Sequence, residues 1–251
     1  MLIVIGMRVA VVGKERRVIE KQLAKFYLTL DKKRPQVVIS YGGDGTALYA
    51  ERKYPGVPRL MIKHSSICVK CSVHGVHDVS AALRALANKK FKVLEEIKVE
   101  GAVNGRQTTK LVGLNEICVH NVVPRAIRLQ VAVNKKILAD NVLGDGLVVA
   151  TPYGSTGYFY SVTRKKFSRG LGIAFNNCVQ RLKHAVVGEG SVVKIKVLRG
   201  PGIMCADNCH NRLVSLKTGD VVTIKKSKQK ARIIVLHGGK KKINAGVMDV
   251  C

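Results

Sequence analysis

The residues best equipped for chemistry are Gly42-Gly43-Asp44-Gly45-Thr46, which follow a short apolar run and precede helix-compatible sequence. Glycine has no Cβ, so such a backbone can approach a phosphate closely. Its N–H groups can then face the phosphate oxygens, and a following helix N-terminus adds positive potential. Asp44, held in the same turn, can accept a proton from an attacking hydroxyl or help place a magnesium ion carried on donor phosphates. The competing reading is a tight strand-to-helix turn in which Asp44 merely caps the helix.

Two further stretches have the composition of a nucleotide site. Asn115-Glu116 interrupts the otherwise apolar residues 111–119; if inside, both side chains require polar partners, and a ribose diol or adenine amino group would serve. Taken alone, such a pair also fits a strand-end cap. Gly144-Asp145-Gly146 and the apolar 147–150 lead into Thr151-Pro152-Tyr153-Gly154-Ser155-Thr156-Gly157-Tyr158. Its hydroxyls and N–H groups can hold ribose or phosphate and Tyr158 can line a base pocket, against the plainer reading of a flexible loop.

The elements that must position these residues are legible from periodicity. Residues 8–12 read as a buried strand, and Ile19, Leu23, Phe26, Tyr27 and Leu30 recur at helical spacing. A strand over 37–40, a helix over 46–53, a strand over 59–63 and a helical stripe at Val76, Val79, Leu83 and Leu86 follow, predicting a small parallel sheet with helices on its faces. From about residue 92 the pattern becomes strands separated by Asn104-Gly105, Asn134-Lys135, Gly144-Asp145-Gly146, Gly200-Pro201-Gly202 and Thr218-Gly219-Asp220. The expected organisation is α/β followed by β: a Rossmann-like domain over 1–90, a β-rich domain over 91–237 as a sandwich, and a segment 238–251 free to return to the first domain.

Together, the glycine-rich motif, the Asn-Glu pair and the Thr-Pro-x-Gly-Ser-Thr-x-Tyr segment, in this order and at these separations, resemble the NAD kinase family over roughly residues 36–220. The resemblance is to an archaeal-like, divergent member of the wider Gly-Gly-Asp-Gly-Thr kinase superfamily. It implies phosphorylation of the adenosine-ribose 2′-hydroxyl of NAD by ATP or polyphosphate with magnesium, in a homodimer or homotetramer whose site lies between the domains. Asp44 is then the catalytic base, while Gly42, Gly43, Gly45 and Thr46 face the donor phosphates. Asn115, Glu116, Asp145, Thr156, Gly157, Tyr158 and Ser161 bind the dinucleotide, and Asp207 serves a structural turn. The family's Asn-x-Gly after the third strand is absent, replaced by Lys63-His64-Ser65-Ser66-Ile67-Cys68, and its Gly-Gly-Pro is replaced by Arg164-Lys165-Lys166. A lipid or small-alcohol kinase, or a non-catalytic nucleotide- or nucleic-acid-binding protein of the same fold, is the alternative.

The charge of +28, from 44 Lys and Arg against 16 Asp and Glu, favours phosphorylated partners and leaves nucleic acid open, although the basic residues are scattered. No apolar run approaches the roughly 18 residues that span a bilayer, so a cytoplasmic protein without membrane contact is expected. Cys68-x-x-Cys71 and Cys205-x-x-x-Cys209 each match half of a tetrahedral zinc site, with two unrelated cysteine pairs as the larger share of the reading. His120 follows a strand pattern without an obvious acidic neighbour and is assigned no role.

Overall fold

The computed structural model describes residues 6–65, 76–122 and 124–236. The expected segment 238–251, together with Cys68 and Cys71, lies outside them. The chain divides into two compact units: the residues up to Glu95 with those from Ala231 onward, and Glu96–Lys230. The first contains β1 (Arg8–Val12), α1 (Arg16–Glu20), β2 (Thr29–Leu30), β3 (Val37–Gly42), α2 (Asp44–Lys53), β4 (Arg59–Lys63) and α3 (Val79–Ala87). Then come β5 (Phe91–Val103), β6 (Leu111–Gly113), β7 (Glu116–Asn121), β8 (Ile127–Val133), β9 (Lys136–Gly144), β10 (Gly146–Ala150), α4 (Tyr158–Thr163) and β11 (Leu171–Asn176). The chain continues through β12 (Ala185–Val187), β13 (Val193–Arg199), β14 (Gly202–Ala206), β15 (Val214–Leu216) and β16 (Val221–Leu236), whose last six residues belong to the first unit.

In the first unit, parallel strands run in the order β2-β1-β3-β4, and the end of β16 adds in parallel to β4, with Ile233 opposite Arg59. Both faces of the sheet are covered, so its strands are continuous apolar runs rather than alternating ones. Val9, Val11, Ile39, Leu60 and Ile62 pack against Ile19, Leu23, Leu83 and Leu86, while Ala10, Val12 and Val38 pack against Ala50 of α2. The chain leaves β1 toward one edge of the sheet and β3 toward the other. The carboxyl ends of β1 and β3 therefore flank the topological switch point, where open α/β sheets form a crevice.

The helix expected to continue to Leu30 stops earlier. After α1 comes a 3-10 turn over Leu23–Phe26, capped by Tyr27 at φ 55°, and Leu30 is already in strand β2. A left-handed residue cannot propagate a helix, so the apolar spacing there spans a turn and a strand edge.

The second unit is a sandwich. One sheet has the order β12-β11-β10-β7-β14-β15, and β9, β8, β13 and the first part of β16 form the other. Ile117, Val119, Leu147, Val149 and Ile173 of the first sheet share a core with Leu129, Val131, Ile195 and Ile224 of the second. Alternation along a strand sends the intervening residues to the opposite face. There Cys118, Val148, Ala150 and Ala174 are covered by Phe159 of α4. Asn134 and Lys135, at φ 49° and 71°, make the two-residue β8–β9 hairpin turn, whose paired positive φ values match strand twist.

Candidate active site

In the first unit, the N-cap of α2 is Gly43, so Asp44 sits one residue inside the helix rather than capping it. A Cβ at Gly42 would fall 2.4 Å from the Thr46 hydroxyl oxygen, so the Thr46 side chain folds back over the loop. Gly45 meets nothing within 4 Å of where its Cβ would stand, leaving its backbone open to a neighbour. Beside this loop, at the switch point, lies a cavity of about 530 Å³. It is lined by Gly13, Gly45 and Thr46, by the bases Lys14, Arg16, Lys32 and Lys53, and by Tyr49 and Tyr54. Four cations and a glycine loop around one cavity have the charge and backbone geometry to accommodate a polyanion. His64, in the segment that departs from the family pattern, donates its backbone N–H to Gly42 O at 3.1 Å and stacks on Tyr41 at 4.4 Å between ring centroids.

In the second unit, the strand period turns Glu116, Cys118 and His120 of β7 to the face that α4 covers. Asn115 and Glu116 are fixed from two directions. The Asp207 carboxylate accepts the backbone N–H of Leu114 at 2.9 Å, of Asn115 at 2.7 Å and of Glu116 at 3.3 Å. Thr151 donates its hydroxyl to Leu114 O at 2.6 Å, and its N–H to Asn115 O at 2.8 Å. Gly154 passes so close that an added Cβ would lie 2.1 Å from Asn115 O. The next turn then brings Gly157 against the pair, its Cβ position 3.4 Å from Asn115 Nδ2 and 3.8 Å from Glu116 Oε2. Asn115 Oδ1 and Thr156 Oγ1 are buried there with no hydrogen-bond partner within the described residues.

The same face carries a polar chain. Asn176 Nδ2 donates to the Tyr158 hydroxyl at 2.9 Å, and that hydroxyl lies 3.0 Å from His120 Nε2. Burial holds the His120 imidazole below its ordinary pKa, against the opposing pull of the Asp145 carbonyl and charge. Burial, reinforced by negative groups around it, pushes Tyr158 up to about 12, so its hydroxyl keeps its proton near neutrality. Asp145 is itself held by Asn121 Nδ2 at 3.3 Å and Asn177 Nδ2 at 2.8 Å.

Residues 114–236 match the family model for the ATP-NAD kinase C-terminal domain. An NAD kinase from Clostridium botulinum is 27% identical over 210 residues, covering 80% of this chain and 73% of its own. One from Sulfurisphaera tokodaii is 28% identical over 210 residues, covering 80% of this chain and 81% of its own. The crystal structure of an NAD kinase from Archaeoglobus fulgidus in complex with ATP superposes with a TM-score of 0.77 at 21% identity, covering 94% of this chain and 97% of that one. The chain thus matches the NAD kinase C-terminal domain over residues 114–236 and is similar to NAD kinases over 80% of its length.

Within this NAD kinase fold, Gly42, Gly43, Asp44, Gly45 and Thr46 are gathered on the first unit. On the second, Asn115, Glu116, Thr156 and Gly157 come together, with Tyr158 and Asp145 on the same sheet face by way of His120. Ser161 stands apart as an exposed residue of α4. Sequence reasoning did not pick out Lys14, Arg16, Lys32 and Lys53; a lysine directly after Gly13 at the end of the first strand was the available signal. It also assigned His120 no acidic neighbour, because Asp145 reaches it from the turn between β9 and β10. Cys205, considered as a zinc ligand with Cys209, pairs across the sheet with Cys118 and is hydrogen-bonded to its thiol. No helix among the described residues is long and apolar enough to cross a membrane.

Proposed function

We propose that the chain is an NAD kinase that phosphorylates the adenosine-ribose 2′-hydroxyl of NAD. The observation that carries this reading is the convergence of Asn115, Glu116, Thr156 and Gly157, with the Asn115 and Thr156 oxygens buried and their hydrogen-bonding capacity unused within the described chain. A buried polar atom without a partner costs about 1–3 kcal/mol, which a ligand carrying ribose hydroxyls and a base amino group offsets on binding. A lipid alcohol has no groups to match this set.

Asp44 accepts the proton of the attacking hydroxyl, and the glycine loop with Thr46 faces the donor phosphates. Lys14, Arg16, Lys32 and Lys53 neutralise donor charge, so transfer rests on positioning and electrostatics. Tyr49 and Tyr54 give the cavity an aromatic surface that suits a nucleoside triphosphate better than bare polyphosphate. The Asp44 carboxylate at the loop fits a hard, oxygen-seeking magnesium ion that stays largely hydrated and is carried on the donor. When bound, that ion supplies neutralisation of phosphate oxygens. A cytoplasmic homodimer or homotetramer completes the proposal, and native mass spectrometry would fix the oligomer.

The test is NADP formation from NAD with magnesium and either ATP or polyphosphate, run beside Asp44→Asn. Loss of the base should lower kcat by at least about a hundredfold with NAD binding retained. Folded parent protein that makes no NADP from either donor would overturn the reading.

A further inference from the structure

The chain Asn176–Tyr158–His120–Asp145 has a direction that can be worked out from its donors. The Asn176 amide nitrogen can only donate, so the Tyr158 oxygen accepts from it at 2.9 Å. The one hydrogen of that hydroxyl is left for His120 Nε2 at 3.0 Å, which must then present a lone pair. With Nε2 occupied, the ring N–H that meets the Asp145 backbone carbonyl is at Nδ1. The network thus assigns a neutral imidazole protonated on Nδ1. The two rings lie parallel, 3° apart with centroids 5.5 Å from each other, so His120 fixes both the plane and the hydroxyl of Tyr158. The strand register admits this arrangement because His120 is paired with Gly146, where any Cβ would strike Val119 O at 2.0 Å.

We propose that His120 is a positioning residue for the dinucleotide pocket: its neutral Nδ1–H tautomer holds Tyr158 in place, and protonation of His120 reverses the hydrogen bond and releases it. An imidazolium donates from both nitrogens, so the Tyr158 oxygen would receive two donors and its own hydrogen would have to turn elsewhere. The titratable groups on this face are Glu116 and Cys118 of β7, Cys205 of β14, Asp145 of the β9–β10 turn and Tyr158 of α4. Burial outweighs the attraction of Asp145, so the neutral form prevails at neutral pH and protonation comes below the ordinary histidine value of 6.5.

The inference rests on the NAD-kinase reading, and the experiment separates the two. In steady-state kinetics over roughly pH 5 to 8, the range in which histidine titrates, the parent's KM for NAD should rise on the acid limb while kcat changes less. His120→Leu should raise KM by up to about tenfold at every pH, the scale of one lost hydrogen bond. His120→Gln, whose amide oxygen can accept from Tyr158, should restore KM and remove the acid-limb rise. In parallel, nitrogen-15 NMR of the imidazole should find Nδ1 protonated and Nε2 not, with the Nε2 signal shifted in Tyr158→Phe. A parental KM in His120→Leu, an unchanged acid limb in His120→Gln, or a proton on Nε2 would overturn the proposal. Absence of NADP formation by the parent would instead sink the functional reading, and the NMR measurement, which needs no substrate, would still decide the tautomer.

Discussion

The Asp207 carboxylate accepts the backbone N–H of Asn115 at 2.7 Å across 92 residues of sequence. Its two oxygens take the neighbouring N–H groups of Leu114 and Glu116 as well, so one buried carboxylate sets the backbone that presents both Asn115 and Glu116. Asp207→Asn keeps the size but replaces one acceptor with a donor aimed at donors. The expected loss is about 2–3 kcal/mol of stability, the scale of one charge-assisted hydrogen bond plus an unpaired N–H, with a weaker affinity for NAD. Urea unfolding and an NAD titration would check this; unchanged values in both would show that Asp207 is not the anchor.

Two glycines in the candidate site should respond in opposite ways to the same added methyl group. At Gly154 a Cβ would meet Asn115 O at 2.1 Å and Asn115 Cα at 2.7 Å, all backbone that cannot swing aside. Gly154→Ala should therefore displace the Asn115 turn, costing several-fold to a hundredfold in NAD affinity and roughly 1–3 kcal/mol in stability. At Gly45 the position is open, so Gly45→Ala should melt like the parent. Any defect in Gly45→Ala should appear in the KM for the phosphate donor. A Gly45 variant that unfolds, or a Gly154 variant with parental NAD affinity, would contradict this division.

Sequence legibility followed the range of the interactions. Strands β1 and β4 fall on residues 8–12 and 59–63, as apolar runs bounded by breakers suggest, and Asn134-Lys135 makes the hairpin its residue types favour. These are local properties. The turn at Tyr27 was hidden because nothing in a tyrosine announces a left-handed backbone. In the site, the glycine run and Asn115-Glu116 stood out by composition, whereas Lys14, Arg16, Lys32 and Lys53 were indistinguishable from other cations in a chain of charge +28 until the fold brought them to one cavity. The link from His120 to Tyr158, 38 residues apart, depends on β7 and α4 meeting on one sheet face.

The paired thiols of Cys118 and Cys205 should differ in reactivity. Cys118 is pushed well up by its hydrogen bond with Cys205, by burial and by the Glu116 charge, while the bond from the Cys118 thiol pulls Cys205 down. A lowered pKa means more thiolate at a given pH, so Cys205 should alkylate first, with an onset at lower pH than a free thiol shows. Cys118→Ala removes the donor and should move that onset upward. Mass spectrometry of iodoacetamide-treated protein across pH reads both effects; labelling of Cys118 ahead of Cys205 would refute the assignment.

Arg59 and Glu51 form an ion pair in the first unit with both side chains 1% exposed, joined at 2.7 Å. Only Nη1 of the guanidinium is engaged there; Nε and Nη2 find no hydrogen-bond partner among the described residues. Desolvating two charges is costly, and an arginine with part of its donor set unused recovers little of that cost beyond the contact itself. Removing one partner leaves the other charge buried, so Glu51→Gln should destabilise the protein by about 3–5 kcal/mol. Replacing both, as Arg59→Met with Glu51→Leu, should cost less than either single change, because the volume remains and no charge is stranded. Denaturant midpoints of the two single variants and the double variant form a cycle that reads this directly. If the double variant is less stable than Glu51→Gln, the pair is a net stabiliser of the α2–β4 packing and the desolvation argument fails.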